Sequence, residues 1–263
     1  MAVTVYKNCF TDQDLDVLLD YFYQQDDLVD DRFDVRSKMP VWNQTAWPQQ
    51  VVEQKLKAVL DKPFTSDRTL FQSSKISFRV HVDTGTGHNR QYVNALIPMQ
   101  FDGPSATVFF DNFWTGPSTR FARTNISPYR YNIPDVNGNF IWVDDIRQLL
   151  DQCINNPHTV VDFRVDKKFI EDLQRLIEVR HTADLRTSDY TEIINYRSET
   201  VFPVELHQQW LKHIPIEDLH GLTFAEVYHW QLGDLVIFDR TQLHCAAHGH
   251  KLKTGLSLFL SML

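Results

Sequence analysis

The stretch Ser77-Phe-Arg-Val-His-Val-Asp-Thr-Gly85 carries the pattern on which the predicted fold depends. Apolar and polar side chains alternate along it: Phe78, Val80 and Val82 in one set, Arg79, His81 and Asp83 in the other. Alternation with a period of two is typical of a β-strand. We therefore predict a strand over about 75–83 in which His81 and Asp83 share one face. Such a pair supplies one imidazole and one carboxylate to a metal ion.

A second imidazole is expected from the C-terminal part of the chain. With 11 His and 34 acidic residues in the sequence, a His-x-Asp pair arises by chance about once, so the pair needs a partner. The stretch Gly233-Asp-Leu-Val-Ile-Phe-Asp239 predicts a turn and a buried strand, and His244 closely follows it. His248 is an alternative, but His244 lies nearer to the strand. Two imidazoles and one carboxylate can hold non-haem Fe(II) and leave positions open for other ligands.

A cation and a hydroxyl follow on the last predicted strand. In Lys253-Thr-Gly-Leu-Ser257, strand parity places Lys253 and Ser257 on one face. Lys251 has the same parity and is the competing cation if the strand starts early.

These residues resemble those of the Fe(II)/2-oxoglutarate-dependent oxygenases, in particular the prolyl-hydroxylase-like and phytanoyl-CoA-hydroxylase-like branches. The resemblance covers about 1–111 and 222–263. It implies that His81, Asp83 and His244 bind Fe(II) and act in catalysis. It also implies that Lys253, where the family more often has Arg, binds the distal carboxylate of 2-oxoglutarate with Ser257 beside it. Tyr92, on the next predicted strand, is a candidate hydrogen-bond donor to this co-substrate.

The activity implied by the resemblance is oxidation of a substrate with Fe(II), 2-oxoglutarate and O2. The related halogenases lack the carboxylate ligand, so Asp83 favours hydroxylation over halogenation. Two alternatives stay open: a cupin-like metal barrel that does not use 2-oxoglutarate, and a non-catalytic ligand-binding barrel. A zinc cluster formed by Cys245, His248 and His250 is a further alternative, although no second half of such a cluster is found elsewhere.

The predicted fold class is mainly β with flanking helices. Within it we predict a double-stranded β-helix, that is, a jelly-roll or cupin-like barrel with an N-terminal helical buttress. Thr11 can cap a helix from Asp12, and a second helix is predicted over about 48–61. A large insertion, about 112–221, is predicted between barrel strands, with helices at about 144–154, 166–180 and 204–212. The ligand pattern requires residues 81 and 244 to meet, so we predict a single oxygenase domain over 1–263.

Composition limits the partners. The net charge of −8 makes nucleic acid an unlikely partner, because broad binding needs clustered positive charge. A small-molecule or peptide substrate is expected instead. No apolar run of membrane-spanning length and no signal-peptide pattern is seen, and the 3 Cys are scattered. We therefore expect a cytoplasmic protein with free thiols.

Overall fold

The computed structural model describes residues 3–24, 29–31, 35–38, 47–75, 77–83, 92–115, 120–122, 131–137, 140–143, 146–182, 187–189, 192–249 and 251–262. The chain divides into two compact units: unit 1 comprises Met1–Pro117 and Thr191–Leu263, and unit 2 comprises Ser118–Tyr190.

The elements follow one another in the order β1 (Thr4–Tyr6), α1 (Asp12–Tyr23), β2 (Val29–Asp31), β3 (Val35–Lys38), α2 (Trp47–Val59), β4 (Phe64–Ser74), β5 (Tyr92–Asp102), β6 (Ala106–Phe113), β7 (Arg120–Ala122), β8 (Tyr131–Pro134), β9 (Phe140–Val143), α3 (Ile146–Asn155), α4 (Lys167–Thr182), β10 (Thr187–Asp189), α5 (Val204–Trp210), β11 (Phe224–His229), β12 (Leu235–Asp239), β13 (Gln242–Ala246) and β14 (Leu252–Met262). Unit 2 contains the elements from β7 to β10. The described chain is mostly β, as the sequence predicts.

Two antiparallel sheets form unit 1. The larger sheet has the strand order β1-β12-β5-β14-β4-β3-β2, and the smaller has the order β11-β6-β13. The long last strand, β14, lies between β5 and β4 and pairs with both along most of its length. The C-terminal strand is thus central to the larger sheet and joins the first third of the chain to the last.

Helices α1 and α2 pack on the outer face of the larger sheet. Their apolar side chains share one buried core with alternate residues of β5, β12 and β14; its members include Leu18, Phe22, Leu56, Ala95, Ile97, Ile237 and Leu258. The predicted N-cap of α1 is present. The Thr11 hydroxyl accepts a hydrogen bond from the Asp14 backbone N–H, and the Asp14 carboxylate accepts one from the Thr11 backbone N–H. The predicted N-terminal helical buttress therefore agrees with the structure.

The inner face of the larger sheet faces the smaller one. A second buried cluster joins Leu96 of β5 and Val236 and Phe238 of β12 to Phe109 of β6 and to Tyr228 and Trp230 at the end of β11. On β14 the residues Lys253, Gly255 and Ser257 alternate with the helix-facing Leu256 and Leu258. They therefore belong to the inner face, as the predicted parity requires.

The strand predicted over about 75–83 is wrong in its extent. The regular strand is β4, which ends at Ser74, and residues 77–83 pair only through an isolated bridge between His81 and His244. The predicted separation of faces holds for the buried Val80 and Val82 against His81 and Asp83, but not for Phe78, whose ring centroid lies 6.4 Å from that of His81. Without a regular ladder, strict alternation does not hold.

Unit 2 contains the two long helices predicted for the middle of the chain. Helix α3 buries Ile146, Leu149 and Cys153, and it packs against α4. At the start of α4, Phe169 stacks on Phe163 with ring centroids 5.6 Å apart. The short helix predicted over 204–212 is present as α5 but belongs to unit 1.

Among the residues that the structure describes, no helix combines the length and the apolar character that crossing a membrane requires.

Candidate metal centre

His81, Asp83 and His244 converge in unit 1. Each offers one ligand atom, and these atoms all lie within 4.8 Å of one another; within the described part of the chain no other group of three or more such residues does so. Nε2 of His244 is 3.3 Å from one oxygen of Asp83, and Nε2 of His81 is 3.8 Å from the other. Side-chain exposure is 13% for Asp83 and 8% for His244 but 32% for His81. The cluster therefore opens to solvent on the side of His81.

Backbone hydrogen bonds hold the two ligand-bearing segments together. His81 and His244 donate to each other's carbonyl oxygens, each at 3.0 Å, and the Asp83 backbone N–H donates to the Arg240 carbonyl at 2.9 Å. The segment 77–83 thus runs along the free edge of β13. The convergence of the three side chains is fixed by main-chain pairing and not only by side-chain packing.

Both histidine rings present the same nitrogen to the cluster. Nδ1 of His81 lies 2.7 Å from the Arg79 carbonyl, and Nδ1 of His244 lies 3.0 Å from the Gln242 carbonyl. Because a carbonyl only accepts, Nδ1 must carry a proton in both rings, and Nε2 is the nitrogen that faces the cluster. This arrangement is typical of metal-binding histidines, whose distal N–H is held by an acceptor.

The charges of the cluster favour metal binding. Burial by itself would raise the pKa of Asp83, but the charge and hydrogen bond of His244, with the hydrogen bond from Asn94, lower it to about 2. Burial and the neighbouring His244 lower the pKa of His81 to about 4. Although burial would lower the pKa of His244, the Asp83 carboxylate raises it. At neutral pH the site therefore offers a carboxylate, a neutral His81 and a His244 whose proton a cation can displace.

The separation of the donor atoms fits one transition-metal ion. Ligand nitrogens and oxygens at about 2.1 Å from an ion lie roughly 3.0–3.5 Å apart, which the 3.3 and 3.8 Å distances approach. Two imidazoles and one carboxylate are a donor set of Fe(II) in non-haem oxygenases. The residues present therefore fit such an ion.

Lys253 supplies a buried positive charge in the same interior. Its side chain is 8% exposed, and within the described part of the chain it has no carboxylate partner. Its Nζ lies instead over two aromatic faces, 5.8 Å from the Phe78 ring centroid and 5.2 Å from that of Trp230. Burial lowers the pKa of Lys253 to about 8. A buried ammonium held by rings and not by an anion is suited to receive an anionic ligand.

Gly255 allows Trp230 to approach this face of β14. A Cβ at position 255 would lie 3.1 Å from Cη2 of Trp230. The indole N–H is fixed on the other side, where it donates to the Thr107 hydroxyl at 3.0 Å. Trp230 thus forms one wall beside Lys253.

The structure distinguishes the lysines and histidines that compete for the same role in the sequence. Lys251 is exposed and precedes β14, so Lys253 is the lysine on the inner face. His248 lies outside the cluster, its backbone bound to Trp210. Ser257 is half-buried on the same face as Lys253. The side chain of Tyr92 and all of His250 lie outside the described residues.

Two residues beside Asp83 were not predicted as part of the site. Asn94 on β5 donates a hydrogen bond from Nδ2 to the Asp83 carboxylate. Arg240, in the turn after β12, donates from Nε to the Asp83 carbonyl at 3.1 Å and lies over the Phe259 ring at 5.2 Å. From sequence alone Asn94 can lie on either face of the strand, and only the register of β5 decides between them.

No protein-family model and no curated protein matches the chain. Solved structures do match. HygX from Streptomyces hygroscopicus, with nickel and 2-oxoglutarate bound, is 10% identical with a TM-score of 0.42, over 99% of this chain and 82% of that one. The collagen prolyl hydroxylase of Paramecium bursaria Chlorella virus-1, in its 2-oxoglutarate complex, is 7% identical with a TM-score of 0.46, over 100% and 97%. A Pseudomonas putida prolyl-4-hydroxylase is 8% identical with a TM-score of 0.41, over 99% and 92%.

The superfamily of these matches is the one that the sequence resembles. Likeness at this level carries no functional conclusion, so the function has to be argued from the residues of the site.

Proposed function

We propose that this chain is a non-haem Fe(II)- and 2-oxoglutarate-dependent oxygenase, and specifically a hydroxylase of a small-molecule or peptide substrate. The observation that carries the proposal is the meeting of His81, Asp83 and His244 within 4.8 Å, in the same interior as a buried lysine that has no carboxylate partner among the described residues. A metal site alone fits many activities. A metal site with a buried cation also fits a dicarboxylate co-substrate.

In this proposal the three clustered side chains hold Fe(II), and Lys253 with Ser257 holds the distal carboxylate of 2-oxoglutarate. Tyr92 stays a candidate donor to the co-substrate on sequence grounds. Lys253 and Ser257 lie on one strand, so their positions set the direction of a ligand that bridges them and the metal. We also propose that the two sheets form a double-stranded β-helix, the fold that such a site requires.

Fe(II) with 2-oxoglutarate and O2 supplies the oxidising power, converting 2-oxoglutarate to succinate and CO2 while a substrate C–H bond is oxidised. The residues of the chain would bind and orient the metal and the co-substrate, and they would exclude water. The backbone carbonyls of Arg79 and Gln242 hold Nδ1 of His81 and of His244, and Asn94 and Arg240 hold Asp83. The apolar ring of Phe238 packs edge-on against His244 at 4.8 Å and keeps that side of the site dry.

The proposal is tested by measuring succinate formation from 2-oxoglutarate with Fe(II) and O2, with and without a panel of small-molecule and peptide substrates. Wild-type protein should form succinate, slowly without substrate and faster with the correct one. Asp83→Ala and Lys253→Met should not, and Lys251→Ala should behave like wild type because that side chain is exposed.

The outcomes separate the alternatives. One outcome is that the wild-type protein binds metal and yet forms no succinate from any dicarboxylate supplied. That result would favour the cupin-like metal barrel over the proposed oxygenase. Absence of metal binding in wild type would leave only a ligand-binding barrel.

A further inference from the structure

The Asp83 carboxylate is held unequally at its two oxygens. Oδ2 accepts from Asn94 Nδ2 and lies 3.3 Å from Nε2 of His244. Among the residues that the structure describes, Oδ1 receives no hydrogen bond and lies 3.8 Å from Nε2 of His81. Oδ2 is thus tied to an amide on β5, and Oδ1 is the oxygen without a hydrogen bond from any described residue.

The orientation of the Asn94 amide follows from its neighbour. An ionised carboxylate only accepts, so the NH2 group of Asn94 must face Asp83 and its Oδ1 must face away. Asn94 is 2% exposed, and its Oδ1 is buried with no hydrogen-bond partner in the described part of the chain. A buried acceptor left unpaired is unfavourable. Packing alone therefore does not account for an amide here, since Leu96, the next inner-face residue on β5, packs as an aliphatic side chain in an apolar cluster.

We propose that Asn94 is a positioning residue that restrains Asp83 to binding the metal through a single oxygen. The inference rests on the metal site of the proposed function and not on the co-substrate. With Asp83 as a one-oxygen ligand, three of the six positions of an octahedral ion stay open, enough for a chelating 2-oxo acid and one further ligand. A carboxylate that turned both oxygens onto the ion would close one of them.

Calorimetric titration of the metal-free protein with Co(II), together with the visible absorption spectrum of the Co(II) form, tests this. Band intensity reports the coordination number of Co(II), so the spectrum detects a carboxylate that has turned. Asn94→Leu keeps the volume and removes the donor; it should weaken Co(II) binding by about 10–100-fold and change the spectrum. Asn94→Ala leaves space for a water that can donate in place of the amide, and it should lose less affinity than Asn94→Leu.

A packing role predicts the reverse order, because Ala leaves the larger cavity. Asn94→Ala binding more weakly than Asn94→Leu would therefore overturn the proposal, as would an unchanged affinity and spectrum in Asn94→Leu. If Asn94→Leu does not fold, a Co(II) affinity of Asn94→Ala equal to that of wild type overturns it, because a mobile water restrains the carboxylate less than a fixed amide does. Asn112→Leu is the matched control: it removes another fully buried strand amide, bound to Thr223 and Ile194, and should leave the Co(II) spectrum unchanged. Failure of wild type to bind Co(II) would instead contradict the proposed metal site itself.

Discussion

The imidazoles of His81 and His244 are held by backbone carbonyls with Nε2 toward the cluster, before any ion is present. The rings therefore need little reordering to bind a metal. We predict that His81→Ala, Asp83→Ala and His244→Ala each abolish binding of Mn(II), a redox-stable substitute for Fe(II), as measured by calorimetry. The fold should survive in each, with an unchanged circular dichroism spectrum, because these side chains line an interior that is partly open to solvent.

His248→Ala is the control for this prediction. The side chain lies outside the cluster, so the variant should bind Mn(II) like wild type. Loss of binding in His248→Ala but not in His244→Ala would show that the distal ligand is misassigned.

Lys253 should lower the stability of the fold while it strengthens the binding of 2-oxoglutarate. Its folded-state pKa of about 8 lies below the ordinary 10.5, which corresponds to a cost of roughly 3 kcal/mol for keeping the charge buried. The cost is fully present below about pH 8 and is relieved as the pH rises toward 10.5. We predict that Lys253→Met has a higher Tm than wild type at pH 7, an advantage that shrinks above pH 8, and that it no longer binds 2-oxoglutarate. A lower Tm would mean that the ammonium stabilises the fold.

The same lysine should set the pH dependence of co-substrate binding. The ammonium form is needed to pair with a carboxylate, and it is lost as the pH passes about 8. We predict that 2-oxoglutarate binds the Mn(II)-loaded protein about tenfold more weakly at pH 9 than at pH 7, measured by calorimetry. Lys253→Arg should bind with little change over this range, since a guanidinium does not titrate there. Parallel pH profiles for the two proteins would contradict the assignment.

At the scale of the element, alternation along β14 places Lys253 on the inner face, and Gly255 leaves room for Trp230 beside it. Gly255→Ala would place a Cβ 3.1 Å from Cη2 of Trp230, and Trp230 is held by its hydrogen bond to Thr107. We predict that this substitution lowers the free energy of unfolding by roughly 1–3 kcal/mol and weakens 2-oxoglutarate binding, because the wall beside Lys253 must move. Denaturant titration and calorimetry measure the two effects.

A double-mutant cycle checks the cause. In a Trp230→Phe background the smaller ring leaves room for the new methyl group, so Gly255→Ala should cost less there. An equal loss of unfolding free energy in both backgrounds would show that the strain does not come from contact with Trp230.

The elements show what local sequence can and cannot predict. Helix α1 was predicted from its Thr11 cap, and the inner face of β14 from alternation alone, because both signals lie within a few residues. Strand β4, Phe64–Ser74, was not predicted: its polar residues Thr69, Ser73 and Ser74 are buried, so it lacks a regular apolar pattern. The extent of the 75–83 strand was wrong because only its partner, β13, determines how far the pairing runs.

The site likewise contains residues that local sequence predicts and residues that it does not. His81, Asp83, His244 and Lys253 were proposed as one site from spacing and resemblance, and the structure brings the three ligand candidates together and places Lys253 on the inner face. The roles of Asn94 and Trp230 depend on strand register and on side chains from different strands, which no local pattern encodes.

For the whole molecule, an ion bound by His81, Asp83 and His244 would link the two stretches of chain that make up unit 1. A ligand that binds only the folded state stabilises it, by about 2.7 kcal/mol at a hundred times its Kd. We predict that Mn(II) raises the Tm of the wild-type protein and that a chelator reverses the shift. Asp83→Ala should show no shift, and an equal shift in that variant would indicate binding at another place.

The reciprocal hydrogen bonds between His81 and His244 also have a consequence for biosynthesis. His81 and Asp83 leave the ribosome long before His244, and β14, which fills the space between β4 and β5, follows later still. A growing chain therefore has two ligand candidates without the third, and no ammonium beside them. We expect chains truncated after β12, which lack His244, to bind no Fe(II), so that metal binding would have to wait until β13 has been made.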